Sequence, residues 1–434
     1  MSTRVQATCY LLILLVSQGS FAQEWTRFRG PNGSGVSHAT TIPTTWTDAD
    51  YCWKVQLPGV GHSSPVIWGE KVFLLSADPS DATRYVLCYS AKNGSLLWRR
   101  NFESAVHQIH GRSSYASSTP AVDARQVYVA WSTPAEITFK AFTHEGIEKW
   151  NVNLGSWVGR HGFCNSPIVY ENKVVLHLSQ QAEKLDPGEV PGESCMVALD
   201  CASGRELWRT PLVSRQVSYS VPFIYTPPVG KPELVCTSTG NGVFSLDPTT
   251  GHKNWSIDTF DKRTISSPIL AGGLIFGSNG SGSYSENYLV AIRPGNHPEV
   301  VYTMKNSSRV KAPYIPSVIA KGDTVFLIYD RGFASCIDAP TGKIHWMQRT
   351  GGKFSGSPVR VRDKIYAIDE DGLVWVIAAD KKELKILVKN DLGEPSRSTP
   401  AVAGGKMFLR TDSQLFCVGG ISAEGPSIRT GKKP

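Results

Sequence analysis

Ten histidines and nine cysteines are the side chains of this 434-residue chain best suited to hold a metal or attack a substrate. His107 and His110 stand three apart in a stretch without periodicity, a spacing for two ligands that lacks the third a metal site needs. His144 and His177 have no partner pattern at all. No His-Glu-x-x-His and no Gly-x-x-x-x-Gly-Lys-(Ser/Thr) occurs. The absence of Cys-x-x-Cys removes zinc-ribbon, thioredoxin and covalent heme chemistry. Cys195 and Cys201 are close enough in sequence to pair in an oxidising compartment. A different pattern is more regular. Eight polar connections each carry a cation: His62; Arg112 with His107 and His110; Arg160 with His161; Arg215; Lys262 with Arg263; Arg309 with Lys311; Lys353; and Arg397. Trp157, Phe163, Tyr219, Tyr314 and Phe354 lie in the same connections. Cations beside aromatic rings suit a flat anion or an extended acidic segment, provided the fold brings them together.

The elements that would do so recur. Gly-x-x-x-Trp appears at Gly94–Trp98, Gly146–Trp150, Gly204–Trp208, Gly251–Trp255 and Gly342–Trp346. A small residue beside a proline opens an apolar run at Pro65, Pro120, Pro167, Pro222, Pro268, Pro316, Pro358 and Pro400, at intervals of 42 to 55 residues. Each unit then continues with alternating runs such as Lys71–Leu75 and Gln126–Ala130, and with an Asp- or Asn-rich turn closed by glycine. Four short antiparallel strands per unit, repeated eight times, define an all-β eight-bladed propeller. Six residues before the turn glycine one slot holds Cys88, Ala198, Ser245 and Cys336, and by alignment the slot also holds Ala141, Ala291, Val376 and Cys417, so the three cysteines read as small core residues. Tyr302 and Ile386 stand where two units lack the tryptophan. The last unit runs out after three strands, and Tyr51–Leu57, with Trp53, matches the missing fourth. Closure by that N-terminal strand removes an open sheet edge.

The repeat occupies 46–420. Ahead of it, residues 1–22 have the form of a secretory signal. Arg4 precedes an apolar core, Cys9 to Val16, too short to span a bilayer, and small residues at Ser20 and Ala22 set the cut. Residues 23–45 form a leader segment, and 421–434 a basic tail expected to be disordered. No other window is apolar enough to cross a membrane. Charged residues at 19% and hydrophobic residues at 41% permit a large core and exclude wholesale disorder. The net charge of +8 favours anionic partners. Gln180–Ser194 is an acidic, Pro-containing insertion between the second and third strands of the third unit.

The strand pair Ala198-Leu199-Asp200-Cys201-Ala202-Ser203-Gly204-Arg205-Glu206-Leu207-Trp208 resembles the pyrroloquinoline-quinone-type (PQQ-like) propeller repeat. The leader Trp25-Thr26-Arg27-Phe28-Arg29-Gly30-Pro31-Asn32-Gly33-Ser34-Gly35-Val36-Ser37 is similar to that of exported planctomycete-type members. The resemblance implies eight blades with tryptophans docked between them, here Trp53, Trp98, Trp150, Trp208, Trp255 and Trp346. It allows two kinds of function: quinoprotein dehydrogenases, and the non-enzymatic propeller that scaffolds outer-membrane-protein assembly. A repeat of this kind specifies fold, not activity. The dehydrogenases require a calcium site, a catalytic aspartate and, in many members, adjacent cysteines. No adjacent cysteines occur, and no catalytic residue carries over.

The expectation is therefore an exported, monomeric, non-catalytic propeller of the periplasm or cell envelope. It would bind an envelope protein or an anionic ligand at one basic face formed by Arg112, Arg160, His161, Arg215, Arg263, Lys311, Lys353 and Arg397. The alternatives are a PQQ- and calcium-dependent oxidoreductase and a propeller for anionic polysaccharide. Nucleic acid is not an expected partner.

Overall fold

The computed structural model describes residues 24–283 and 285–420. The signal-like segment 1–22 and the tail 421–434 lie outside the described residues. Eight antiparallel sheets follow one another along the chain, in the order the repeat requires. Blade 1, for example, comprises Val66–Trp68, Lys71–Ala77, Arg84–Ser90 and Leu96–Phe102, from the axis outward. The ring closes as expected. Ala401–Ala403, Lys406–Arg410 and Gln414–Gly419 take Tyr51–Gln56 as their fourth strand, with Trp53 opposite Cys417. Among the described residues there are two short 3-10 turns and no α-helix.

The two sequence anchors are the two devices that join one blade to the next. At four junctions the tryptophan of the outer strand lies on the turn glycine of the following blade. Trp53 covers Gly94, Trp98 covers Gly146, Trp150 covers Gly204 and Trp208 covers Gly251. Gly94 has φ +74°, and a Cβ there would sit 2.8 Å from the Trp53 ring, so the position excludes any side chain twice over. The indole N–H then donates to the same turn, from Trp53 to Ala91 O at 3.2 Å and from Trp150 to Cys201 O at 2.8 Å. Tyr302 takes the tryptophan's place in blade 5, its hydroxyl donating to Ala339 O at 2.6 Å. The small-residue slot is the cross-strand partner of this ring: Cys88 faces Trp98, Ala198 faces Trp208 and Cys336 faces Trp346. All three slot residues are fully buried. In blade 7 the register corrects the sequence reading. Val388, not Ile386, faces Val376, because the turn after the slot strand is two residues longer here than in blade 1, where Cys88 faces Trp98, while the bulge after the slot is common to both. Trp46, just past the leader, whose backbone N–H donates to Asn390 of blade 7 at 3.0 Å, is buried in the core shared by blades 7, 8 and 1, where that junction lacks a tryptophan.

The second device explains the Ser/Thr-Pro anchors. The hydroxyl before each inner strand accepts the backbone N–H at the equivalent position of the preceding blade. Ser64 donates to Thr119, Thr119 to Ser166, Val221 to Ser267, Ser267 to Ser317, Ser317 to Ser357, Ser357 to Thr399, and Thr399 back to Ser64, all at 2.9–3.0 Å. The ring is interrupted only where Val221 has no hydroxyl to accept from Ser166. At the closure, buried Arg410 of blade 8 donates to the carbonyls of Ser63 and Leu75 in blade 1. Cys195 and Cys201 sit at opposite ends of one region of strand and turn and are not paired; every described cysteine is a free thiol.

The leader fills the axis. Trp25 bridges to Ile67 of blade 1, Thr26 O accepts from Val122 of blade 2, and Asn32 pairs with Ile224 of blade 4 through both its side-chain groups. Val36–Ser37 adds a parallel strand to Val359–Val361, the inner strand of blade 7. Arg27 donates to Pro222 O at 2.6 Å and Arg29 to Val318 O at 2.8 Å. The leader's glycines seat its own large side chains: a Cβ on Gly30 (φ +65°) would strike the Trp25 ring at 2.4 Å, and Gly33 and Gly35 lie under Arg27 and Arg29.

These contacts order a set of stability effects. Gly94→Ala meets both a left-handed backbone and the Trp53 ring and is expected to cost about 2–4 kcal/mol. Gly69→Ala shares the positive φ but has open space around it, so only the backbone part, about 1–2 kcal/mol, applies. Urea unfolding of the two variants reads the difference, and equal losses would show that indole docking contributes nothing. Arg410→Ala leaves buried carbonyls without a donor and is expected to cost about 3 kcal/mol in the same assay.

Candidate functional site

The plug stops partway along the channel. Its contacts lie on the inner strands and at their far turns, while the links that enter those strands remain uncovered above it. Between the links lies a cavity of about 550 Å³ whose wall draws on all eight blades and whose floor is Phe28 of the leader. The hydroxyl-bearing anchors Ser64, Thr119, Ser166, Ser317, Ser357 and Thr399 form its lower wall.

The upper wall is cationic. Of the residues singled out from sequence, the structure brings Arg112, His161, Arg263 and Arg397 into the lining, together with His62 and His110. Arg160, Arg215, Lys311 and Lys353 are not part of it. The reason for two of these is the insertion 180–194. Its Asp186 pairs with Arg160 and its Glu183 with Arg215, so the acidic loop draws these two cations outward. The loop is itself anchored, with Gln181 Oε1 accepting from Val217 N–H at 3.1 Å. Sequence reasoning missed three features of the mouth. Arg331 lies in the turn after the second strand of blade 6, outside any link. Phe28 belongs to the leader, whose position no periodicity reveals. The anchor serines and threonines were read as strand starts and prove also to be cavity wall.

The lining contains no aspartate or glutamate. The nearest carboxylates lie just behind it. Glu370 accepts from Arg112, from Ser355 at 2.6 Å, and lies 3.8 Å from Arg397. Burial alone would raise it, but these donors hold it below the usual carboxylate range. Because Arg112 comes from the link into blade 2 and Glu370 from blade 7, this pair spans the mouth. Asp330 is fully buried and pushed up to about 6, although it accepts from the N–H groups of Tyr314 and Ile315 at 2.7 and 2.9 Å. Asp412 lies 3.7 Å from His62, yet burial, Arg397 and Arg410 outweigh it and push His62 down to about 3. His161, its ring centre 4.4 Å from that of His110 and tilted 44° to it, is held near 4 by burial, Arg263 and His110. His62 and His161 are therefore neutral at physiological pH, and the fixed positive charge belongs to the arginines.

More positive charge lies beneath. Arg27 is 6% exposed and Arg29 fully buried; both drop to about 9 through burial and so remain charged at neutral pH. Neither has a carboxylate partner among the described residues, and Nε of each lacks a hydrogen bond there, as do Nε of Arg263 and Arg397. A buried charge without a counter-ion is costly, and an anion in the space above offsets that cost. Chemically, the mouth offers guanidinium and hydroxyl donors on a blind, partly apolar surface. A calcium ion takes oxygen ligands, carboxylates above all. With none in the wall, and no cluster of three His, Cys, Asp or Glu anywhere among the described residues, the donor set does not fit a calcium–quinone pair.

Comparison with known proteins agrees with this architecture. The sequence matches the family model described as outer membrane protein assembly factor BamB over residues 47–297 and 304–384. The chain belongs to that family of PQQ-like propellers. None of the curated proteins matches it. Among solved structures it is similar to a europium-containing methanol dehydrogenase, at 11% identity and TM-score 0.65, covering 92% of this chain and 98% of that one. It is similar to BamB from Moraxella catarrhalis at 14% identity and TM-score 0.57, covering 86% and 99%. It is also similar to the quinohemoprotein alcohol dehydrogenase from Comamonas testosteroni at 11% and 0.63, covering 92% and 80%. At these identities the likeness establishes the fold.

The depressed histidines make a pH dependence with a definite sign. Unfolded histidine titrates near 6.5. Below that value the unfolded chain takes up protons that His62, His161 and fully buried His177, itself held near 4, refuse in the folded state. Stability therefore falls as the pH drops from about 6.5 towards 4. Asp330, raised to about 6, works in the opposite sense over the lower part of that window. Urea midpoints measured across it are expected to flatten in His161→Gln and His177→Gln and to steepen in Asp330→Asn.

Proposed function

We propose that this member of the family is an exported, non-catalytic propeller of the cell envelope, a scaffold that receives an acidic segment of a partner protein at its link face. One observation carries the reading: a blind axial mouth with four arginines and no carboxylate in its lining, over two further buried arginines. Such a field attracts acidic groups and rejects basic ones before contact. The signal-like residues 1–22 support export. The family match to an assembly factor supports a binding rather than a chemical role. The oxidoreductase alternative lacks support in the mouth, where no carboxylate stands ready as a base or as a calcium ligand.

The test is charge reversal in the mature chain. Arg331→Glu with Arg397→Glu changes the mouth, whereas Lys311→Glu with Lys353→Glu makes the same change of charge outside its lining. Cross-linking in intact envelopes, read by mass spectrometry, is expected to lose its link-face partners in the first pair and keep them in the second. Equal capture by both pairs would remove the mouth from the function. Calcium and the quinone are expected to leave the melting temperature unmoved and to support no dye reduction with alcohols or sugars; either effect would revive the enzyme reading.

A further inference from the structure

The mouth has a feature that a merely basic patch does not: it is closed below and its two kinds of surface are segregated. Leader residues Trp25 to Ser37 occupy the channel, so nothing can thread through the ring, and whatever enters must end above Phe28. Links into blades 4, 5 and 6 contribute an apolar sector of Tyr219, Ile265, Tyr314 and Ile315, which adjoins Phe28. Arg263 stands within that sector. It shares the cavity lining with His161, Cys164 and Tyr219. Unlike Arg112 and Arg397, it has no carboxylate within ion-pair distance among the described residues, and its buried Nε has no acceptor there.

Below Arg263 the polar wall is made of donors. Each anchor hydroxyl already accepts a backbone N–H from the neighbouring blade, which uses one of its lone pairs; Ser166 spends its own hydrogen on Cys164 O at 3.3 Å, while those of Thr119, Ser317, Ser357 and Thr399 remain to point inward. Arginines and such hydroxyls can donate, and the neutral imidazoles can do either. A group that only accepts, has negative charge and adjoins an apolar side chain satisfies this arrangement; the end of a polypeptide has that form. An internal acidic side chain would need to bring two flanking backbone segments into a blind hole of this size, whereas a chain end brings one. Carboxylate capture by arginine is bidentate and strong, and terminal carboxylates are a recurring target of peptide-binding sites.

We propose that the mouth is a receptor for a free polypeptide C-terminus, with Arg263 holding the terminal carboxylate and the last, apolar side chain resting on Phe28 between Tyr219 and Tyr314. This names the partner segment and rests on the scaffold reading above. The leader then has two tasks: it plugs the channel, and it sets the depth and chemistry of the pocket.

The probe is the fluorescein-labelled peptide Gly-Ser-Gly-Asp-Tyr-Leu, made as the free acid and as the C-terminal amide and titrated by anisotropy into the full mature protein. In the wild type the acid is expected to bind about tenfold or more tightly than the amide. Arg263→Gln is expected to erase that difference, and Arg263→Lys to restore part of it. Inorganic phosphate at millimolar concentration is expected to displace the acid poorly. Three outcomes overturn the proposal: equal affinity of acid and amide, a difference that survives in Arg263→Gln, or displacement by phosphate as effective as by unlabelled peptide. A melting-temperature check on each variant separates loss of binding from loss of fold. If the acid–amide difference is missing while Arg331→Glu with Arg397→Glu still loses its partners in envelopes, end recognition fails and the scaffold survives. If envelope capture ignores the mouth as well, both fail.

Discussion

Eight sheets arranged round one axis leave eight inner strands with backbone groups turned towards the centre, and the fate of those groups governs the rest of the molecule. An unpaired strand edge is a liability that stable proteins cover or pair. Closure by Tyr51–Gln56 solves only the problem of where the ring begins and ends. The inner edges need something on the axis itself. The leader provides it, pairing with blade 7 as a strand, touching blades 1, 2 and 4 through its backbone or Asn32, and capping carbonyls of blades 4 and 6 with Arg27 and Arg29. The segment that looks dispensable, because it lies outside the repeat, completes the core.

The same solution creates the electrostatic problem that the mouth expresses. Guanidinium groups are well suited to capping carbonyls at a crowded axis, since one side chain can satisfy several acceptors in a fixed fork. They bring charge with them. Arg27, Arg29 and Arg410 are all buried and all held near 9, still protonated at neutral pH. Fewer carboxylates lie near these three and near Arg112, Arg263, Arg331 and Arg397: Asp412 and Glu394 act on Arg410, Glu370 pairs with Arg112 and Arg397, and Asp330 faces Arg112, with Asp330 and Asp412 themselves raised by burial. The imbalance is structural in origin before it is functional. A cavity placed over it inherits a field, whatever the lining residues were selected for.

What sequence could reveal follows from this division. The blades were readable because each repeats the same local demand: a glycine under an indole, a small residue opposite it, a hydroxyl before the inner strand. Repetition makes such demands visible without coordinates. Ile386 shows the margin of error, for a turn two residues longer than that of blade 1 moved the docking position to Val388. The mouth was half readable. Arg112, His161, Arg263 and Arg397 were found through their place in the links, but Arg160 and Arg215 have the same place and are turned away by Asp186 and Glu183. Pairing across separate loops leaves no periodic trace. Phe28 was beyond reach, since a non-repeating leader can lie on any surface until the open channel is known.

Likeness to both a BamB and two dehydrogenases is then no contradiction. The shared part is the ring, whose joints impose no chemistry on the space at its centre. Divergence concentrates where the joints leave freedom, in the links and in whatever enters the channel. A ring whose central wall carries carboxylates can gather a cation. This one has none in the lining and keeps arginines beneath the floor, while Glu370, Asp330 and Asp412 stand behind the wall. The leader, by fixing both the floor and two of those charges, ties the selectivity of the mouth to the same contacts that seal the axis.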